Sequence, residues 1–209
     1  MVKVKCQRRK LTNPYMKQDK QFDQICCAVT GVPLRKEEAI KLLMSPQQLV
    51  VADLYDALPG EAKRVAITAE AMQQVTSQEG VKALFGENAV LMDGFLNHVY
   101  QNLHKQVLQS LSLSKKAGVL IVGGQKAKVA LNDGRVKLIF QSKGGSEREL
   151  KKLIQGEYKH IDVCDLFESH ELAGILGQNH IGYLALLKGK LADKIYSRCL
   201  MLENWLKTQ

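Results

Sequence analysis

No CxxC pair occurs in this chain of 209 residues, and its cysteines are odd in number: Cys6, Cys26, Cys27, Cys164 and Cys199. The adjacency of Cys26 and Cys27 argues further against a regular disulfide framework, and without paired spacing a structural zinc site has no ligand set. A reducing cytoplasm is the expected setting, with Cys164 and Cys199 as small buried hydrophobes. Also missing is any apolar run approaching the ~20 residues that cross a bilayer, so no membrane partner is expected. The opening MVKVKCQRRKLTNPYMKQDK lacks the apolar centre and small-residue cleavage site of a secretory signal, and is not expected to be one. Paired carboxylates and a histidine cluster are absent too. His160, Cys164 and Asp165 come close together in HIDVCD, but alternation along a strand sends His160, Asp162 and Cys164 to one face and Asp165 to the other. That arrangement assembles no nucleophile, base and orienting group, so no enzymatic chemistry, no cofactor and no metal are expected.

What the chain does have is positive charge in two places. Of a net +9, residues 1–20 carry seven Lys/Arg against one acid and residues 111–160 carry eleven against four, while the remainder nearly cancels or runs slightly acidic. Clustered cations are the electrostatic footprint of a nucleic-acid binder, because each phosphate they neutralise releases condensed counterions. The alternative is solubilising surface charge, which needs no clustering. With 45% hydrophobic residues the chain can bury a core.

The pattern divides into a basic flexible tail over 1–24, a small mixed α+β unit over 25–90 and an α/β/α layered unit over 91–209. In the first unit, ICCAV leads into a turn at TGVP, RKEEAIKLLM reads as a helix, and QLVVAD and RVAI read as strands. Thr68 is placed to cap a helix over AEAMQQV. The second unit opens with a long amphipathic helix, capped by Asp93 and ended by Gly118, whose Leu96, Val99, Tyr100, Leu103, Val107 and Leu111 form one apolar stripe. Strands VLIV, VKLIF, HIDVCD and IGYLALL then alternate with helices. These helices are GQKAKVALNDG closed by Gly134, SERELKKLIQG closed by Gly156, SHELAGILG capped by Ser169, and LADKIYSRCLMLENWL. Such alternation predicts a sheet covered by helices on both faces. In the last helix Leu191, Ile195, Cys199, Leu202 and Leu206 are the expected buried seam, and Trp205 is expected to pack rather than to serve as a ligand platform.

The stretch SKKAGVLIVGGQKAKVALNDGRVKLIFQSKGG tests a nucleotide reading. Gly118 and Gly123 have phosphate-loop spacing, but Gly124 stands where the lysine belongs and Gln125 where Ser or Thr would hold magnesium. No G-x-G-x-x-G follows the strand either. What survives is a Gly-Gly turn at a helix N-terminus, where backbone amides favour an anion, with Lys126 and Lys128 nearby.

LSLSKKAGVLIVGGQKAKVALNDGRVKLIFQS, continuing to DLFESHELAGILGQNHIGYLALL, resembles the kink-turn-binding ribosomal-protein superfamily and its small bacterial YlxQ-like members, over about residues 105–200. CAVTGVPLRKEEAIKLL, LVVADLYDALPG and RVAITAEAM are similar to YlxR, over about residues 25–85. The pairing of the two is seen in alphaproteobacterial RNA-binding proteins. In the kink-turn binders the helix after the first strand begins G-x-N-E-x-x-K, whose Asn and Glu read sheared G·A pairs while the Lys serves the backbone. Here the glycine is Gly123, but Gln125, Lys126 and Val129 replace the other three, and Lys126 reverses the charge of an acceptor. A second RNA-facing loop of the family matches FESHEL, placing Glu168, Ser169 and His170 near RNA; alternatively Ser169 only caps a helix and His170 is a solvated loop residue. In the YlxR-like part, LPGRGA becomes LPGEAK with Glu61 in place of an arginine, and the second cysteine of a CxxC pair is Thr30.

The resemblance and the charge together imply a non-enzymatic RNA-binding protein acting on structured RNA, ribosomal RNA among the candidates, in transcription or translation. The expected contacts are Lys115, Lys116, Gly123, Gly124, Gln125, Lys126, Lys128, Ser142, Lys143, Gly144, Arg148, Ser169 and His170, with Arg35 and Lys36 from the first unit. Gly145 completes the second glycine turn, and Arg8, Arg9 and Lys10 add a second anchor. The competing expectation is a protein-interaction module of the transcription or translation machinery whose RNA contacts have decayed.

Overall fold

The structure, a computed structural model, describes residues 25–154, 160–178 and 181–208. Tail residues Arg8, Arg9 and Lys10, and the helix-closing Gly156, lie outside them. The fold is mixed α/β. Chain contacts divide it into two compact units: a C-terminal unit of Leu108–Tyr196, and an N-terminal unit that takes the described residues up to Val107 and those from Ser197 onward.

The N-terminal unit contains β1 (Ile25–Cys26) paired with β2 (Pro33–Leu34), then β3 (Ala39–Met44), β4 (Leu49–Ala52), β5 (Ala62–Ala66), α1 (Ala69–Thr76), α2 (Gln78–Phe85), β6 (Val90–Leu91) and the first half of α3 (Phe95–Lys116). Its main sheet has the order β5-β3-β4-β6, antiparallel except where β4 meets β6. β3 corrects the expected helix over RKEEAIKLLM, of which only Lys36–Glu38 forms a short 3-10 turn. A central strand covered on both faces buries nearly every residue, here Ala39, Ile40, Leu42 and Leu43, and such an apolar run cannot be told from a helix by its period. Thr68 caps α1 as expected, accepting from the Ala71 amide at 3.3 Å. α2 and β6 have no counterpart in the sequence reading. Cys27 is buried, and its Sγ accepts N–H bonds from Thr30 at 3.4 Å and Ala66 at 3.3 Å, which ties the first turn to β5.

α3 begins one residue later than a cap at Asp93 requires: Gly94 precedes Phe95 and its carbonyl accepts from His98. Val99, Leu103, Val107 and Leu111 are fully buried along it, while Leu96 and Tyr100 are half-buried. No described helix is long and apolar enough to cross a membrane.

The C-terminal unit continues with β7 (Leu120–Val122), α4 (Gly124–Asn132), β8 (Val136–Ser142), α5 (Glu147–Leu153), β9 (Asp162–Phe167), α6 (Ser169–Leu176), β10 (Tyr183–Leu187) and the start of α7 (Lys190–Leu206). Gly118 and Gly134 end α3 and α4 at φ 69° and 63°, each donating its amide three residues back into the last turn. The sheet order is β7-β10-β8-β9; β10 runs antiparallel to both neighbours, and β8 and β9 are parallel. Ile139 and Ala185 face a cluster formed with Ala127, Ala130 and Leu131 of α4 and Leu153 and Ile154 at the end of α5. Leu138, Phe140, Leu184 and Leu186 alternate onto the other face and are equally buried, so both faces of the sheet are covered.

Two expectations shift. The cap of α6 is Glu168, whose amide donates to the Glu171 carboxylate at 2.8 Å; Ser169 is the first helical residue and its hydroxyl donates to the Ile181 carbonyl at 3.3 Å. Along α7 the buried seam is Ala192, Ile195, Cys199, Leu202 and Trp205, with Leu191 half-buried and Leu206 exposed. Trp205 packs, fully buried, and Cys164 and Cys199 are buried and outside any disulfide.

Candidate nucleic-acid interface

Strand direction gathers the sequence-marked loops of the C-terminal unit at one end of its sheet. Leu184 pairs with Val122 and Phe140, Tyr183 with Gln141, and Ser142 with Phe167. β7, β8 and β9 therefore finish, and β10 starts, at the same end. The turn at Gly123–Gly124, the loop Ser142–Gly145 and the turn Glu168–His170 all leave from there, and open α/β sheets commonly place ligand sites at the carboxyl ends of their strands. The Lys143 amide donates to the Phe167 carbonyl at 2.7 Å and the Ser142 amide to Gly182 at 3.1 Å, which locks the loops together. Lys115 and Lys116 precede β7, toward its opposite end, and so fall outside this cluster.

The turn into α4 has no side-chain cap, so the amides of its first turn face outward and carry the positive end of the helix dipole. Gly123 adopts φ 95°, in the region that favours glycine. Gly124 makes a close approach: a Cβ there would sit 2.5 Å from the Tyr183 hydroxyl, so a larger residue would have to displace that side chain. Beside this turn lies a groove of about 510 Å³ lined by Gly124, Gln125, Lys128, Glu149, Lys152 and Tyr183, with Leu153 at its base. Burial, and then the negative charge of Glu149, push the Tyr183 phenol above its ordinary pKa, so it stays a protonated donor.

The expected contact residues divide into three kinds. Lys126, Lys128 and Arg148 are exposed and have no acidic partner within 4 Å among the described residues; the same is true of Lys152, which sequence reasoning missed. Gln125, Gly144 and His170 are also exposed. A second set is committed to the fold. The Lys115 ammonium donates to the Leu176 carbonyl at 3.0 Å, satisfying the C-terminus of α6, and Ser142 is buried with its hydroxyl on the Gly182 carbonyl at 3.4 Å. Both were expected to meet RNA; Lys115 gives one of its three ammonium donors to the fold while its charge stays unpaired among the described residues, and the Ser142 side chain is buried. Lys143 is intermediate, exposed but 3.4 Å from Glu168.

The third set lies in the N-terminal unit, where Arg35 and Lys36 are exposed but paired. Arg35 Nε donates to Glu38 at 2.9 Å and Lys36 to Asp56 at 2.8 Å. Asp56 also holds Arg64 at 3.1 Å and Lys41 at 3.3 Å, and its carboxyl is pushed far below the usual range, first by the Lys36 hydrogen bond. Neighbouring Asp53 is 6% exposed and accepts from the amides of Tyr55, Ala57 and Leu58 and from Lys41. Burial raises its pKa, but the Lys41 bond and the Leu58 and Ala57 amides outweigh it and bring the value to about 2. These carboxylates hold Arg35, Lys36, Lys41 and Arg64 in ion pairs, so the charges of Arg35 and Lys36 are already answered within the unit.

No family model matches the chain, and no curated protein matches it. Among solved structures it is similar to a protein of unknown function from Bacillus halodurans, at 22% identity and a TM-score of 0.40, over 44% of this chain and 95% of that one.

Proposed function

We propose that this chain is a non-enzymatic RNA-binding protein of the cytoplasm acting on structured RNA, and that its C-terminal unit grips the RNA at the loop end of its sheet. The observation that carries this reading is the set of Lys126, Lys128, Arg148 and Lys152, four cations without acidic partners, on the two helices that follow the Gly123–Gly124 turn and the Ser142–Gly145 loop. Their neutralisation by phosphates would release counterions, and the uncapped amides of α4 add an anion-favouring backbone. The resemblance to kink-turn-binding ribosomal proteins and to YlxR supports the same reading. Its test is a fluorescence-anisotropy titration of a kink-turn hairpin and a plain hairpin at several salt concentrations. Lys126→Glu combined with Lys128→Glu is expected to weaken binding about tenfold or more and to flatten the salt dependence by roughly 0.7–0.9 per lost phosphate contact. Unchanged affinity and slope would remove this face from the RNA.

A second reading, a protein-interaction module of the transcription or translation machinery, is favoured by the N-terminal unit. There Val32, Tyr55 and Leu58 are exposed on loops whose charges cancel. A stoichiometric protein partner that survives nuclease treatment would favour it over RNA binding.

A further inference from the structure

We propose that the groove between α4 and α5 is a site for a guanosine phosphate unit, with Glu149 and Tyr183 reading the guanine edge and Lys128 and Lys152 holding the phosphate. Where that unit belongs to an RNA strand, the inference rests on the RNA reading above; as a free nucleotide it stands apart from it.

The groove holds two kinds of group. Lys128 and Lys152 are ammonium donors without an acidic partner within 4 Å among the described residues, although Glu149 lines the same groove. They suit an anion. Glu149 is the exception in this basic setting: among the described residues nothing donates to its carboxylate. Its backbone is fixed, because its amide donates to the Ser146 hydroxyl at 3.3 Å, and its Oε2 lies 3.8 Å from where a Cβ on Gly182 would stand. The carboxylate therefore rests against the start of β10, next to Tyr183. The Tyr183 hydroxyl is held over Gly124 at the mouth of α4, and among the described residues it has no hydrogen-bond partner. Burial, and after it the charge of Glu149, favour its protonated, donating form.

One donor beside two acceptor oxygens is a specific demand. An ionised carboxylate accepts two parallel N–H bonds only from an edge with two adjacent donors. Among the RNA bases guanine alone has this edge, N1–H next to the N2 amino group, with O6 beyond them to receive a phenol or ammonium proton. Adenine and cytosine follow their single amino group with a ring-nitrogen acceptor, and uracil flanks its one N–H with two carbonyls. Each would set a lone pair against a carboxylate oxygen. At about 510 Å³ the groove is of a size that accommodates one nucleotide.

The test uses the full chain with two kinds of probe. GMP, IMP and AMP are titrated by calorimetry, and labelled ten-nucleotide uridine strands carrying one central guanosine, inosine or adenosine, or none, are titrated by anisotropy. Affinity should fall in the order guanine, hypoxanthine, adenine, by at least about tenfold from first to last, because hypoxanthine keeps N1–H and loses the amino group. Glu149→Gln should abolish the preference in both formats while leaving the thermal midpoint unchanged, and the all-uridine strand should bind at least as tightly as before, since a negative charge has left the groove. Preference shown by both probes, or by GMP alone, assigns a free nucleotide to the groove; preference only within the strand assigns an RNA-borne guanosine. Equal affinity for the three bases in both formats, or a preference that survives Glu149→Gln, overturns the proposal. If the all-uridine strand binds without any guanine preference, the inference falls and the RNA reading stands. If GMP binds selectively and no strand binds even at low salt, the RNA reading falls and the site remains.

Discussion

Two stretches of the molecule, one in each unit, carry cations in different states. Between residues 35 and 64 the chain has five cations, Arg35, Lys36, Lys41, Lys63 and Arg64, and five acids, Glu37, Glu38, Asp53, Asp56 and Glu61. Every one of those cations has a carboxylate within 4 Å. Even Glu61, which stands where the YlxR resemblance expects an arginine, is paired with Lys63. In the C-terminal unit Lys126, Lys128, Arg148 and Lys152 have no such partner among the described residues. The lesson is that a cation's availability to phosphate depends on whether an acid was folded against it. Arg35 and Lys36 are as exposed as Lys126 and Lys128, yet their charge is already answered.

This contrast can be broken in several ways. The largest effect is expected at Asp53, the centre of the paired network. Asp53→Ala strips the acceptor from three amides and from Lys41, and breaking such a buried pair typically costs about 3–5 kcal/mol. Hydrogen exchange should report lost protection in β3 and β5 with β8 and β10 still protected; loss in all four strands would mean that the units do not respond separately. The same carboxylate gives a pH signature. Its pKa is depressed to about 2, so its contribution is complete above the ordinary carboxylate range and disappears as pH falls from about 4 through about 2. That loss is on the order of 2 kcal/mol and should be seen as an acid-side drop in urea stability that Asp53→Ala makes smaller, the remainder coming from Asp56 and Glu38.

A smaller effect sharpens the other side of the comparison. Gly124→Ala drives a methyl to within 2.5 Å of the Tyr183 hydroxyl, a clash of about 1–3 kcal/mol by overpacking. Tyr183→Phe removes the hydroxyl and should recover most of the lost melting temperature; no recovery would show that the constraint at Gly124 comes from the backbone instead. The smallest effect is expected from Arg35→Glu with Lys36→Glu. RNA affinity and salt slope should change by less than about twofold, since these charges are already compensated. A loss as large as that of the Lys126 and Lys128 reversals would erase the distinction between the units.

Much of the fold is written locally. The Thr68 cap, the glycine endings of α3 and α4, and the strand and helix alternation of the C-terminal unit each depend on residues within a few positions, where propensity and periodicity act directly. The failures share one cause. RKEEAIKLLM became the strand β3 because β4 and β5 pair with its two edges, and Ser169 lost its capping role to Glu168 because its hydroxyl found Ile181. At the site, Gly124, Gln125 and Lys128 could be read as a motif. Glu149 and Lys152 share a face of α5 by their three-residue spacing, but nothing in the sequence relates that face to Lys128 on α4 or to Tyr183.

The sequence by itself determined where the positive charge sits, which segments can be helix or strand, and that a glycine turn opens a helix after a strand, because composition, period and backbone stereochemistry are local properties. The tertiary structure alone decided which charges remain available. It set Lys115 on the Leu176 carbonyl 61 residues away, gave Arg64 and Lys36 a common partner in Asp56, buried Ser142, and brought Glu149 beside Tyr183. A side chain's chemistry depends on the groups within a few ångströms of it, and for these residues strand pairing and helix packing set those groups, whatever their separation along the chain.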